Sequence, residues 1–233
     1  MIRFSRPISQ FLERLRWPLA LLSLLTLPAS VSVLWSKLSL LPFAGNSSLR
    51  FLLGLISYLI LWRYFFRRRM FGSLLSTFFH ELAHALVAWI TCNRVEGLKL
   101  TWSNGGAVTI VGHPHWLITL APYFIPTMSL SLLIIVSCTE WYISHPIFSL
   151  FWLDIIWGMS LGFFWASLWL DLRAGQSDIQ KAGKVFSACF LPSAICLSSA
   201  AVISVGVQSR WGAFPAFTRL FAEWYSEVAR FLV

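Results

Sequence analysis

Three side chains within an apolar stretch have the types and spacing of a metal-dependent hydrolytic site. His80, Glu81 and His84 form the pattern H-E-x-x-H. On a helix, residues four positions apart lie on the same face, so the two imidazoles can bind one zinc ion. Glu81 lies beside them and can take a proton from a metal-bound water, whose pKa zinc lowers toward neutrality. The pattern therefore predicts a zinc site with Glu81 as the general base.

The position of this motif in the chain bears on its interpretation. Residues 74–92 are otherwise apolar enough to span a membrane, and ionisable groups in such a segment are expensive and commonly functional. The alternative interpretation is a polar cluster that bonds neighbouring helices or lines a water-filled cavity. Binding of zinc distinguishes the two interpretations.

A catalytic zinc site needs a third protein ligand, with the fourth position left to water. Three carboxylates compete for this role, namely Asp154 within an apolar segment, and Asp171 and Asp178 in a more polar one. The histidines His113 and His115 are interpreted instead as residues of a cavity or an interface. The residue types alone leave the choice among the carboxylates open.

The composition is that of a polytopic membrane protein. Of the 233 residues, 58% are hydrophobic and only 12% are charged, which argues against a soluble globule. The net charge of +9 is attributed to basic loops that set membrane topology, since no basic and aromatic pattern of a nucleic-acid-binding module is present. The four cysteines lie in or next to apolar segments and predict no disulfide.

The hydrophobic pattern predicts an all-α polytopic fold with about six transmembrane helices. The expected spans are residues 17–35, 51–66, 74–92, 116–138, 148–170 and 185–207. Pro28 is expected to kink the first span, and Pro122 and Pro126 to break the fourth. Arginines before the first span and after the second place both regions in the cytoplasm, in particular Arg3, Arg6, Arg14, Arg16, Arg67, Arg68 and Arg69.

Two further elements are expected outside the spans. Residues 98–102 and 107–111, on either side of the turn at 103–106, predict a β-hairpin directly after the motif helix. A simple surface hairpin would be structural, whereas a strand edge that lines a cavity could pair with an extended peptide. After residue 212 the pattern predicts a C-terminal amphipathic helix that lies on the membrane or on the bundle.

Together, the motif, the glycine-containing hairpin and a downstream aspartate resemble the site-2 protease family of intramembrane zinc metalloproteases. The segments that resemble a compact bacterial branch of the family are Phe79–Ala85, Gly105–Val108, Leu120–Phe124 and Gln176–Ile179. The resemblance implies that His80, His84 and a later aspartate bind zinc, and that Glu81 is the general base. The N-P-D-G and L-D-G sequences of better-known members are absent from this chain.

The resemblance favours Asp178 as the third ligand, because Ser177-Asp178-Ile179 is similar to the compact branch and opens a helix. Asp154 and Asp171 remain the alternatives. Simple alternation of six spans places Asp178 on the side of the membrane opposite the start of the third span. To reach His80, Asp178 must therefore lie deeper in the membrane than the end of its span, or one span must be re-entrant. The prolines at 122 and 126 permit the second arrangement.

These observations predict a zinc metalloprotease that hydrolyses peptide bonds of membrane-protein substrates, with Zn²⁺ as cofactor and no nucleic-acid partner. Residues 1–233 are expected to form one membrane-embedded domain, with two spans in 1–70, a catalytic core in 71–207 and an amphipathic tail in 208–233. The expected location is the inner membrane of a bacterium. The alternatives are a non-enzymatic transporter-like or metal-binding membrane protein, and a zinc hydrolase that acts on a lipid or a small molecule.

Overall fold

The computed structural model describes residues 2–66, 72–101, 105–142, 150–173, 177–207 and 213–232. Its helices are α1 (Ile2–Leu25), α2 (Leu27–Leu40), α3 (Asn46–Leu61), α4 (Gly72–Ile90), α5 (Trp116–Phe124), α6 (Thr127–Tyr142), α7 (Leu150–Arg173), α8 (Ser177–Ala182), α9 (Lys184–Val207) and α10 (Ala213–Leu232). A π-helical turn, Trp62–Phe66, follows α3. Strands β1 (Arg94–Thr101) and β2 (Gly105–Val111) separate α4 from α5. The predicted all-α polytopic fold with a small hairpin is confirmed.

The apolar helices differ in whether one helix is long enough to cross a membrane. Within the described residues, α3 with its π-helical turn, α7 and α9 are each long and apolar enough by themselves. The pairs α1–α2 and α5–α6 meet the same criterion only together, and they bend by 55° and 79°. Helix α4, which carries the H-E-x-x-H motif, is a shorter apolar helix. The described chain therefore holds three to five candidate spans, fewer than the six expected.

The first predicted span, residues 17–35, bends close to Pro28 as expected, but its helices have other bounds. Helix α1 begins at Ile2, so the basic lead-in and the start of the apolar segment form a single helix. The bend falls at Thr26, and Pro28 lies in the first turn of α2, where a missing N–H costs no helical hydrogen bond. Helix α2 then continues to Leu40, which leaves a shorter connection to α3 than the pattern predicted.

The fourth predicted span is broken at Pro126, as expected, but the expected break at Pro122 is wrong, because Pro122 lies inside α5. Ile125 adopts an extended conformation, with φ −96° and ψ 112°, which is favoured before a proline. The hydroxyl of Thr127, at the start of α6, donates to the carbonyl oxygen of Phe79 on α4 at 3.1 Å. The break is thereby connected to the residue that precedes the motif. The bent pair is a broken or re-entrant segment, which is one of the two arrangements expected from the position of Asp178.

Helices α3 and α7 pack closely along two faces that carry glycine. A Cβ atom at Gly158 would overlap the backbone carbonyl oxygen of Phe51, and one at Gly54 would overlap that of Ile155. A Cβ atom at Gly162 would lie 3.1 Å from the side chain of Tyr58. The absence of side chains at these positions allows the two backbones to approach each other, as small residues do between transmembrane helices.

The hairpin and the C-terminal helix match the sequence prediction. The strands are antiparallel, with Leu98 opposite Val108 in the middle of the ladder. Helix α10 packs on the bundle, where the Lys37 ammonium lies 2.5 Å from Glu223 and the Trp224 indole donates to the Ser30 hydroxyl at 3.1 Å. Some residues named in the predictions lie outside the described ones, namely Arg67, Arg68, Arg69, Ser103, Asn104 and Gln176.

We expect Gly158→Ala to lower the thermal unfolding midpoint of the detergent-solubilised protein. The added Cβ would force α3 and α7 apart, and overpacking of this kind costs about 1–3 kcal/mol. Gly97→Ala is a matched control, because a Cβ at residue 97 would have no atom within 4 Å. Equal unfolding midpoints for the two variants would contradict this account of the α3–α7 contact.

Candidate metal and catalytic site

Helix α4 places the three motif side chains beside a cavity. The rings of His80 and His84 lie one helical turn apart, with their centres separated by 5.1 Å. Both Glu81 and His84 are buried, with 9% and 8% of their surface exposed. Three polar groups buried on one apolar helix need polar partners, and the neighbouring elements supply them.

The Nδ1 atoms of both histidines are already engaged in hydrogen bonds. His84 Nδ1 lies 2.7 Å from the carbonyl oxygen of Ile118 on α5. His80 Nδ1 lies 2.9 Å from Oδ2 of Asp171, near the end of α7. A carbonyl or carboxylate oxygen accepts a hydrogen bond, so each ring donates from Nδ1–H and leaves Nε2 as the ligand atom. A metal-binding histidine is commonly oriented by an outer partner in this way.

The structure brings Asp178 to these two Nε2 atoms. Its Oδ2 atom lies 3.6 Å from Nε2 of His80 and 3.5 Å from Nε2 of His84. Zinc bonds of about 2.0–2.2 Å in a tetrahedral site hold neighbouring ligand atoms roughly 3.4 Å apart. The three residues can each offer one ligand atom, with all of these atoms within 4.8 Å of one another, so the set fits a zinc ion.

The charge of Asp178 also suits a metal ligand. Burial raises the pKa of this carboxyl group, but the proximity of the His80 and His84 imidazoles, with a smaller effect of Lys181, holds the pKa well below its usual range. The Lys181 ammonium lies 3.2 Å from the other carboxylate oxygen. Asp178 is therefore an anion whose Oδ2 faces the two imidazoles.

The other two candidate carboxylates have different partners. Asp154 is 2% exposed and forms an ion pair with Arg50 of α3, with distances of 2.7 and 2.9 Å to its Oδ2. It lies on α7 about 25 Å from Asp171, at about 1.5 Å per residue. Asp171 itself contacts the Nδ1 atom of His80, on the side of the ring away from Asp178. Of the three aspartates, the structure brings Asp178 into the cluster of ligand atoms.

A cavity of about 700 Å³ opens beside the cluster and is lined by His80, Glu81, His84 and Asp178. Strand β2 forms another part of its wall, from Gly105 to Val108. A Cβ at Gly106 would lie 2.7 Å from Cγ of Glu81, so the strand backbone packs directly against this side chain. The hairpin is therefore part of the cavity and not a simple surface hairpin.

The two histidines after the hairpin stand apart from the metal-ligand cluster. His115 is 3% exposed and lines the cavity, and neither of its ring nitrogens has a hydrogen-bond partner among the described residues. Burial lowers the pKa of His115 to about 4, so this imidazole is neutral at physiological pH. His113 is exposed, and its backbone N–H donates to the side-chain oxygen of Asn93 at 2.8 Å.

Sequence reasoning missed several residues that contribute to the site. The sequence predicts Asp171 only as a possible metal ligand and not as the hydrogen-bond partner of His80, although a carboxylate that orients a metal-binding histidine is a common arrangement. The carbonyl group of Ile118 belongs to the backbone, so the residue type at position 118 does not predict its hydrogen bond with His84. Glu13 and Arg16 of α1 line the cavity, although their segment was expected to be a basic lead-in at the membrane surface.

Residues 51–144 match the family model described as Peptidase M50B-like. Comparisons with curated proteins and with solved structures found no match. The matched segment contains the motif helix, the hairpin and the bent α5–α6 pair, and it ends before Asp178. The match confirms the resemblance to the site-2 protease family and supports, in general terms, an integral membrane metallopeptidase. Peptidases of this kind are generally zinc enzymes, and the donor set of the cluster agrees with zinc.

We expect the purified wild-type protein to bind zinc and Asp178→Ala to lose it, because only two imidazole ligands remain. Asp154→Asn is the matched control, since residue 154 pairs with Arg50 away from the cluster and an asparagine oxygen still accepts its hydrogen bond. Elemental analysis of zinc per folded chain provides the measurement. Retention of zinc by Asp178→Ala, or its loss from a folded Asp154→Asn protein, would contradict the geometry described above.

Proposed function

Starting from the family match, we propose that this protein is an intramembrane zinc metalloprotease that hydrolyses peptide bonds of membrane-protein substrates. The single observation that carries the proposal is the convergence of Nε2 of His80, Nε2 of His84 and Oδ2 of Asp178 beside the cavity that Glu81 lines. Two histidines and one carboxylate are the donor set of a hydrolytic zinc site, and an adjacent glutamate supplies its general base.

The residues of the chain have distinct tasks in this mechanism. Zinc bound to His80, His84 and Asp178 would supply a water of lowered pKa and a positive charge for the scissile carbonyl. Glu81 accepts the proton of the attacking water and later delivers it to the leaving amine. Asp171 holds the His80 ring through Nδ1, so that the ligand nitrogen keeps its direction during the reaction.

The wall of the cavity supports an extended substrate. An intact helix engages its carbonyl groups in its own hydrogen bonds, so a transmembrane segment must unwind before hydrolysis. Within the described residues the sheet has two strands, and β2 lines the cavity with its own partner, β1, on one side only. We therefore assign to β2 the role of pairing with the unwound substrate backbone, as strand addition does in peptide recognition.

The proposal extends to the location and extent of the protein. The helices of the described chain agree with an integral membrane protein, and the short connections agree with a bacterial inner membrane as its location. We treat residues 1–233 as one membrane-embedded domain, because α1 contacts elements that carry the site and α10 packs on α2 and α9 of the same bundle. Arg16 of α1, for example, contacts Ala182 at the end of α8.

We expect Glu81→Gln to keep its zinc and to lose cleavage by about 10²–10⁴-fold, the usual contribution of a general acid–base residue. Glu96→Gln is the matched control, because residue 96 is an exposed glutamate on β1. Zinc content and cleavage of a panel of single-span segments in vesicles are measured side by side. A Glu81→Gln protein that cleaves at the wild-type rate would rule out the base assignment, and a zinc-loaded wild type that cleaves none of the panel while retaining lipid would favour a lipid hydrolase.

We also expect Gly106→Ala to reduce cleavage without removal of zinc. The added Cβ would displace the Glu81 side chain and leave the three ligands in place, and a misplacement of about 1 Å costs on the order of 100-fold in rate. Gly97→Ala on the same hairpin is the control, since the space around that residue is open. Wild-type cleavage by Gly106→Ala would show that the packing of β2 on Glu81 has no bearing on the reaction.

A further inference from the structure

Helix α1 contacts the site from outside the segment that matches the family, which begins at residue 51. The indole N–H of Trp116 donates to the carbonyl oxygen of Leu12 at 2.8 Å, and the backbone N–H of Trp116 donates to the carboxylate of Glu13 at 3.3 Å. These contacts fasten the start of α5, two residues before the Ile118 carbonyl that orients His84. Helix α1 therefore supports one of the ligands through α5.

Arg16 makes a second connection, to the other side of the cavity. Its guanidinium group donates through Nη2 to the carbonyl oxygen of Ala182, the last residue of α8. The same group lies over the ring of Phe186 on α9, with Cζ 4.8 Å from the ring centre. Arg16 thus bridges the junction between the helix that carries Asp178 and the helix that follows.

The chain at this junction is shaped to receive the guanidinium group. Gly183 adopts φ +91°, which a residue with a side chain rarely adopts. A Cβ at this position would also lie 2.7 Å from Nη2 of Arg16. Glycine at 183 therefore permits both the turn between α8 and α9 and the close approach of Arg16.

Helix α8 is too short to fix the position of Asp178 by its own hydrogen bonds. It spans six residues, Ser177–Ala182, and a helix of this length is not stable without tertiary contacts. Asp178 lies four residues before Ala182, so the two are about one helical turn apart. A hydrogen bond that fixes the Ala182 carbonyl consequently fixes the turn that presents the carboxylate.

We propose that Arg16 is a positioning residue for the metal site, which holds α8 so that Asp178 completes the set of ligands formed with His80 and His84. This inference rests on the zinc site of the proposed function. Metal sites tolerate deviations of only about 0.2 Å in ligand distance, so a small shift of α8 weakens the binding of zinc. Arginine suits the position because its planar, permanently charged group donates to a helix C-terminal carbonyl and stacks on an aromatic ring at the same time.

The test compares zinc dissociation constants by chelator competition on the full-length protein in detergent. We expect Arg16→Met to bind zinc at least about 10-fold more weakly than the wild type, as loss of an outer partner of a metal site does. Arg14→Met is the matched control, because Arg14 lies exposed on the same helix and should leave the constant unchanged. Equal zinc affinity of wild type and folded Arg16→Met would overturn the proposal.

A second variant and a second signal separate positioning from general stability. Arg16→Lys keeps the charge and the alkyl stem, and we expect an affinity between those of the wild type and Arg16→Met. It decides the question if Arg16→Met does not fold, since wild-type affinity of Arg16→Lys would then overturn the proposal. The visible spectrum of the cobalt-loaded proteins should change in the Arg16 variants and not in Arg14→Met, because it reports the geometry of the ligands. A wild type that binds no zinc would refute the proposed function, and this outcome is distinct from a failure of the Arg16 assignment.

Discussion

The hydrogen bonds at the Nδ1 atoms of His80 and His84 are the interactions on which the geometry of the site depends. An imidazole can present either nitrogen, and the bonds to Asp171 and to the Ile118 carbonyl direct both Nε2 atoms toward Asp178. These two partners belong to α7 and α5. The direction of the two imidazoles is therefore a property of the packing of α4 against α5 and α7 and not of the motif alone.

A buried charge and a helix break in the bundle are each stabilised by a contact with a neighbouring helix. The carboxylate of Asp154 would be costly in an apolar helix, and its ion pair with Arg50 compensates the burial. The break before Pro126 is connected to α4 by the Thr127 hydroxyl, so the bend occurs next to the motif. Bent and short helices thereby bring together side chains that straight, alternating spans would separate.

Local features of the chain were predictable from the sequence, and long-range ones were not. The motif helix, the hairpin around Gly105 and the break at Pro126 follow from spacing, turn residues and the geometry of proline. Asp178 could be favoured over its rivals only through a family resemblance, since three aspartates had suitable chemistry. The partner role of Asp171 and the contact of Arg16 with Ala182 arise between residues 91 and 166 positions apart in the chain, and no periodic pattern encodes them. The predicted bounds of the first span were wrong, because the arginine-containing residues before position 17 and the apolar segment after it form one helix, α1.

X-ray absorption at the zinc K-edge of the purified wild-type protein distinguishes the three proposed ligands from other donors, because it reports which atoms bind the metal. We expect one zinc with two imidazole nitrogens and further oxygen donors, all at about 2.0–2.2 Å. Sulfur donors at about 2.3 Å, or a spectrum without two imidazoles, would contradict the assignment of His80, His84 and Asp178 as the ligands.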